Sequence, residues 1–531
     1  MNPLAKLEQL NLEPTAKTKV AALIQSLIEQ VERDAKIIQA KEVKIEALTY
    51  ELAYYKRIRF STKSESLAPL QRDVFEETWN TDISAIEAEV EQLQGDQAGE
   101  TVTRPSKRPR AGRQPLPDHL PRIEHRHEPE SCTCGQCGKA LVKIGEDVTE
   151  QLDVEPAKFF VHRHIRPQYA CRACETVTAA PIPPAVIDGG MAAVGLLTWV
   201  MISKYLDHLP LYRLEQIAAR DGVILSRSTL ADWVGRLGVA LAPLADRLAW
   251  HLLQRDSLHA DETPVPQLDP GNGKTKKAYL WAYRSNDLQH GPKIIVFDYQ
   301  AGRSGRYAQQ FLQDWHGHLL VDDYGGYKAL FAATRAHPES QRLLEPCIEL
   351  ACLAHARRKF FDLFQASQSS VAQEALNRID KLYAVETEAR DVSTDERKQL
   401  RAEKSLPILA ALHDWLQQTR LRTAPNTATA KAIDYSLKRW AALSRYAETG
   451  DLPIDNNPVE NCIRPIALGK KNWLFAGSER AGQRAAVIQT LLGTAKLNGL
   501  EPSAWLKDTL EKLPTWPNSR IDELLPLNTM D

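Results

Sequence analysis

Ser257–Leu268, SLHADETPVPQL, is where the pattern of the chain changes from helices to strands. Two further strands follow, AYLWAYRS at 278–285 and KIIVFDYQ at 293–300, separated by the turn-rich stretches DPGNGKTKK and NDLQHGP. Three consecutive strands imply an antiparallel meander. A helical stretch, RSGRYAQQFLQDW, leads to a fourth strand, GHLLVDDYGGYKAL at 317–330, and then to IELACLAHARRKFFDLF at 348–364, a strand running into a helix. The order of three antiparallel strands, helix, strand, helix and a further strand is that of a ribonuclease-H-like α/β fold, in which functional groups gather at strand ends.

Asp261 lies inside the first strand and Asp322 ends the fourth, so this order sets them side by side although far apart in sequence. A third acid arrives from LPIDNNPVENCIRPIALGKKNWLFAGSERAG at 452–482. There Asn457 before Pro458 reads as an N-cap followed by proline at the first helical position, which places Glu460 in the first turn. Arg464 follows on the same face, with Lys470, Lys471, Arg480 and Arg484 expected within reach of the same surface. Carboxylates sharing a site repel unless cations bind, and hard oxygen ligands select Mg²⁺ or Mn²⁺. Two such ions suit displacement at a phosphodiester. Glu262 and Asp323 are rivals for the same role, but alternation turns sequence neighbours to opposite faces, so one of each pair points inward. Taken singly, each acid also reads as an ordinary strand-end or capping carboxylate.

The 531 residues suggest roughly three or four domains by length. A formal charge of -1 with 25% charged residues excludes a uniformly basic nucleic-acid binder, so contact with a polyanion rests on local patches. No apolar run is long enough to span a membrane and the start lacks a signal-peptide pattern, so a cytoplasmic protein is expected. Residues 1–60 read as a coiled-coil arm. Ile24, Val31, Ile38, Ile45 and Leu52 recur every seven residues, with Leu27, Leu48 and Tyr55 in the companion position, broken there by Asp34 and Lys41. Such an arm favours a homo-oligomer; a helix packed on its own domain is the alternative. Arg57 and Arg59 lie in a basic cluster just after the seam. After a helical extension over 61–94, residues 95–120 form a basic, flexible linker in which Lys107, Arg108 and Arg110 are candidate phosphate contacts.

Residues 121–185 form a zinc-binding module of zinc-ribbon type. Cys134 and Cys137 make one CxxC and Cys171 and Cys174 a second, a pattern suited to one tetrahedral, structural Zn²⁺. A redox CxxC, or Cys132 replacing a ligand, are the alternatives. The intervening segment supplies strands, and its run His162, Arg163, His164, Arg166 could face DNA. Residues 186–250 read as helices, and IAARDGVILSRSTLADWV has the shape of a helix-turn-helix, with Arg220, Arg227 and Ser228 placed for DNA contacts. Two ordinary packed helices read the same way. Residues 251–480 hold the catalytic domain with a helical insertion at about 366–450, and 481–531 a helical tail. His355, Arg357 and Arg358 are expected along the path of a DNA strand.

HADETPV at 259–265, VDDYGGY at 321–327, CLAHARRKF at 352–360 and DNNPVENCIRPIALGKKNWLFAGS at 455–478 closely resemble the transposases of the insertion sequence 66 family of bacterial mobile elements. KYLDHLPLYR at 204–213 and IRPQYACRACE at 165–175 agree, and the resemblance runs over nearly the whole chain. It implies a DDE-type transposase with Asp261, Asp322 and Glu460 as the acidic triad, and a zinc finger before the catalytic domain. Asp323 departs from the glycine usual in the family. The resemblance implies double-stranded DNA as partner, both element ends and target, cut and joined through its 3′-hydroxyl, with small accessory proteins of the same element as further partners. A nuclease or resolvase that cuts without joining, and an inactive zinc-dependent DNA-binding protein, are the rival functions.

Overall fold

The computed structural model describes residues 36–49, 69–95, 121–128, 142–155, 158–269, 274–337 and 342–527, with isolated positions among 20–34, 51–52 and 116–120 and at 140, 272 and 340; for 69–79 and 94–95 it describes the backbone alone. Arg57, Arg59, Lys107, Arg108, Arg110, Cys132, Cys134 and Cys137 lie outside the described residues, as do Ile24, Leu27 and Tyr55 of the seven-residue pattern. The chain divides into two units, one of residues 1–65 and 83–113, the other of 66–82 and 114–531. In the first, residues 36–49 are helical. Val31 and Ile38 of the seam are exposed there, 66% and 48%, whereas Leu48 is buried.

The second unit holds two sheets. After α1 (Pro69–Gly95), the first sheet comprises β1 (Arg122–Arg126), β2 (Val142–Glu155), β3 (Lys158–Ala170) and β4 (Val177–Ala179). Its order is β1-β3-β2, with β4 also pairing β3. Cys171 and Cys174 occupy the tight turn between β3 and β4, closed by Cys171 N–H donating to Thr176 O at 2.9 Å and Glu175 N–H to Cys171 O at 2.8 Å.

Three helices follow, α2 (Val194–Tyr205), α3 (Leu211–Arg220) and α4 (Arg227–Leu252). Gly222, at φ 72°, takes the left-handed turn between α3 and α4 at no steric cost, and the Ser226 side chain caps α4 by accepting from Thr229 N. The second sheet is built of β5 (Ser257–Asp269), β6 (Lys274–Ser285), β7 (Ile295–Gln300), β8 (His318–Val321) and β9 (Ile348–Ala351). Its order is β7-β6-β5-β8-β9, antiparallel from β5 to β7 and parallel from β5 through β8 to β9. Helix α5 (Gly305–Leu312) lies between β7 and β8, and α6 (Leu353–Ser367) follows β9 directly.

Side-chain alternation gives this sheet two apolar faces. Leu258, Ala260, Trp281, Tyr283 and Val296 join one core with α2 and α4 residues such as Leu197 and Leu237. Val265, Leu280, Ala282 and Phe297 join another with Val459, Ile463 and Ile466. Those three residues lie on α12 (Asn457–Trp473), which is preceded by α7 (Ser370–Glu388), α8 (Thr394–Leu400), α9 (Leu406–Leu421), α10 (Ala428–Lys438) and α11 (Trp440–Ser444). A third core joins Leu320, Leu350 and Phe360 to Leu382, Leu412, Ile433 and Tyr446 of this helical stretch. Helices α13 (Glu479–Leu497) and α14 (Pro502–Lys512) end the described chain with a short 3₁₀ stretch. Among the described residues no helix is long and apolar enough to cross a membrane.

Candidate active site

The parallel register pairs His259 with Leu320 and Leu320 with Leu350, so Asp261, Asp322 and Cys352, each two residues further on, emerge together at one edge of the sheet. Asn456 ties the third element to that edge. Its backbone N–H donates to Cys352 Sγ at 3.2 Å, its Nδ2 donates to Ala260 O at 2.9 Å, and its Oδ1 meets His259 Nδ1 at 3.0 Å. All of this is buried, and burial is the first cause holding the His259 imidazole down at about 4, so it is neutral and donates to the amide oxygen. Helix α12 thereby starts over β5 and β9, with Glu460 in its first turn. The cap position is Asn456, not Asn457, and its side chain is spent on the clamp rather than on the helix. Asp455 serves the helix start instead, accepting from Asn457 N at 3.1 Å and Nδ2 at 2.8 Å.

Asp261 accepts from the backbone N–H of Glu262 at 2.8 Å. Burial, then the charges of Glu262, Asp322 and Glu460, push its carboxyl up to about 8, which puts the three candidate acids in one electrostatic neighbourhood. Asp322 Oδ1 accepts from Tyr324 N at 2.8 Å, so the turn after β8 orients it. Glu460 stands 3.7 Å from His355 Nδ1 and 4.0 Å from Arg358 on α6. The rival acids are engaged elsewhere. Glu262 is buried on the opposite face of β5, where Tyr327 donates to it at 2.7 Å and Arg303 Nε at 2.7 Å. Asp323 is exposed, with Arg439 at 3.8 Å.

Buried arginines fix the chain that leads into α12. Arg401, fully buried, pairs with Glu386 at 2.6 Å and donates at 2.9 Å to the carbonyls of Tyr446, Thr449 and Leu452. Arg397 donates to Gly450 O at 3.0 Å. Sequence reasoning passed over both, and over Asn456; the one available signal was an arginine pair in the middle of an otherwise ordinary helical stretch.

Several expected cation positions are paired within the chain. Arg163 meets Glu124 at 3.1 Å, Arg166 meets Asp147, Arg227 meets Glu215 at 3.1 Å, and Arg357 meets Asp380 at 2.9 Å. The run 162–166 therefore does not offer cations without competing carboxylates. Its histidines are also engaged: His162 lies 2.8 Å from Asp153 and 2.8 Å from His125, and His164 lies 3.0 Å from His127 and 3.1 Å from Gln151. Burial, followed by neighbouring His125, His127 and His162, holds His164 at about 4, so it carries no charge at neutral pH. Arg484 is buried against Asp82 at 2.9 Å and does not reach the surface expected for it. Lys470 donates to Pro264 O at 3.1 Å, while Arg464 and Lys471 are exposed.

Comparison with known proteins places the chain in a family. Residues 189–484 match the family described as Transposase IS66 family, and residues 131–175 match the zinc-finger binding domain of transposase IS66. Residues 490–527 match the IS66 C-terminal element, and 47–124 the Transposase C of IS166 homeodomain. Two relatives from Sinorhizobium fredii (strain NBRC 101917 / NGR234), the uncharacterized proteins y4qI and y4jD, are each 38% identical to the chain. The alignments cover 94% of this chain and 92% of y4qI, and 91% of this chain and 94% of y4jD. The chain belongs to the IS66 family of transposases and carries a transposase function.

Proposed function

We propose that this transposase binds the ends of its element, cleaves the phosphodiester to free a 3′-hydroxyl and joins that hydroxyl to target DNA, using Asp261, Asp322 and Glu460 on a ribonuclease-H-like sheet. The observation that carries the reading is the register that brings Asp261 and Asp322 to one sheet edge beside the start of α12, where burial first, then the charges of Glu262, Asp322 and Glu460, push the Asp261 carboxyl up to about 8. Such a donor set fits hard divalent cations, which would relieve the repulsion and take up the oxygen lone pairs. A bound pair of Mg²⁺ or Mn²⁺ ions supplies activation of the attacking oxygen and stabilisation of the leaving one.

Asp261 would hold such an ion as its carboxylate. Asp322 is held in position by the Tyr324 amide, and Glu460 by the Asn456 clamp at the foot of its helix. Glu262, satisfied by Tyr327 and Arg303, anchors the back of β5 and stays outside. Arg358 on α6 and Arg464 on α12 offer exposed cations for the phosphate backbone near the start of these helices, and Lys471 a further one in the last turn of α12. The module at 121–185 would hold one structural Zn²⁺ through Cys134, Cys137, Cys171 and Cys174. Helices α3 and α4 would contribute DNA contacts, and the arm at 1–60 would pair two subunits, consistent with the exposure of Val31 and Ile38.

The test is a Mg²⁺-dependent cleavage and joining assay on element-end DNA. Asp261→Asn, Asp322→Asn and Glu460→Gln should each lose most of the activity while still binding the ends, because each removes an oxygen ligand of the metal pair. Asp323→Asn should keep most of it. Activity in all four variants, or loss confined to Asp323→Asn, contradicts the assignment; cutting without joined products points to a nuclease.

A further inference from the structure

Cys352 is the residue before α6 and His355 lies in the first turn of that helix, so the three-residue spacing turns both side chains to the side where α12 begins. Cys352 Sγ, a His355 ring nitrogen and a Glu460 carboxylate oxygen all lie within 4.8 Å of one another. His355 Nδ1 and Glu460 Oε1 are both buried, neither has a hydrogen-bond partner, and they face each other 3.7 Å apart. Leaving two buried polar atoms unpaired is costly, and a cation between them relieves that cost. Ligand atoms around a tetrahedral zinc-like ion stand roughly 3.3–3.6 Å apart, given bond lengths of about 2.0–2.3 Å. The pair at 3.7 Å is close to that spacing, and a small side-chain adjustment brings in the sulfur. Thiolate and imidazole do not suit Mg²⁺, which takes oxygen ligands, but they suit Zn²⁺ and Co²⁺.

We propose that Cys352, His355 and Glu460 form a second metal site, distinct from the cysteine module, that binds one Zn²⁺-class ion and thereby withdraws Glu460 from the catalytic Mg²⁺. Binding forms a sulfur–metal bond and releases the thiol proton to solvent, with water completing the coordination shell. The inhibitory half rests on the reading that Glu460 is a catalytic ligand; the binding half does not. Micromolar zinc would then switch off cleavage in the presence of millimolar magnesium.

The experiment adds Co²⁺ to full-length protein prepared with a single Zn²⁺ per chain, the complement of the cysteine module, and follows uptake by calorimetry and by the near-ultraviolet thiolate-to-cobalt absorption. The expected result is one further ion per chain with that absorption. Cys352→Ala should abolish the absorption, and Cys352→Ala and His355→Ala should each weaken uptake at least tenfold. Because Cys352 is buried, its variant is first shown to melt like the parent; His355, partly exposed, tests the site independently if it does not. No additional ion, or undiminished uptake in His355→Ala, overturns the site. In parallel, Zn²⁺ should inhibit Mg²⁺-dependent cleavage by the parent protein. Cobalt uptake without zinc inhibition overturns the inhibitory half, whereas uptake by a protein that never cleaves with Mg²⁺ supports the site and refutes the transposase mechanism.

Discussion

Two regions of this molecule treat charged side chains in opposite ways. In the helical stretch before α12, the Arg401 guanidinium meets both oxygens of Glu386 and three backbone carbonyls. At the sheet edge, Asp261 meets one backbone N–H and the like charges of Glu262, Asp322 and Glu460. The first arrangement is complete as it stands and serves to hold the loop at 446–452. The second is less complete in the same electrostatic sense: Asp261 and Asp322 each accept from a backbone N–H, and Glu460 has the exposed Arg358 no nearer than 4.0 Å. Glu262, one residue from Asp261, shows that the distinction is local: with a tyrosine and an arginine attached, the same kind of side chain in the same strand becomes structural.

Breaking the complete region should cost the most stability. Arg401→Ala leaves Glu386 and three carbonyls without their partner, and should destabilise by about 3–5 kcal/mol, measured by urea unfolding. Arg401→Met combined with Glu386→Leu should recover much of that loss, because removing both charges leaves neither uncompensated. A loss under about 1 kcal/mol for Arg401→Ala would mean that the loop is held by its apolar contacts alone.

At the incomplete region the sign reverses. The folded-state value of about 8 for Asp261 lies above the roughly 3.9 of an unfolded chain. Its contribution to stability is therefore fully present below about pH 4 and is lost as pH rises through about 8. In magnesium-free buffer, Asp261→Asn should melt higher than the parent protein, with the gap widening from pH 5 to pH 8 and then levelling. Adding Mg²⁺ should raise the parent and leave the variant unmoved. A gap that narrows with rising pH would show that the carboxylate is favourably paired in the fold.

The sheet was legible in the sequence because its strands are bounded by turn-forming stretches and because parallel pairing of β5, β8 and β9 follows from their order. That Asp261 and Glu262 lie on opposite faces was legible for the same reason, since alternation separates neighbours, although it does not say which of the two faces a site. What escaped was whatever depends on partners remote in sequence. Asn456 reads as one more helix-start residue until His259, Ala260 and Cys352 are placed around it. Arg163 and Arg166 read as unopposed cations because Glu124 and Asp147 come from β1 and β2, across the sheet rather than along the chain. Arg484 likewise meets Asp82 from a segment about four hundred positions earlier. Charge patterning along a chain counts neighbours in sequence, whereas pairing is decided by neighbours in space.

The central claim is that Asp261, Asp322 and Glu460 together complete one catalytic metal centre. The most direct measurement is anomalous scattering from Mn²⁺ in crystals of the protein bound to element-end DNA. The account predicts two peaks about 4 Å apart, the spacing of two-metal phosphoryl-transfer sites, with oxygen ligands from all three acids and none from Glu262 or Asp323. Peaks coordinated by Asp323 or Glu262, or strong end binding with no manganese at the sheet edge, would contradict it.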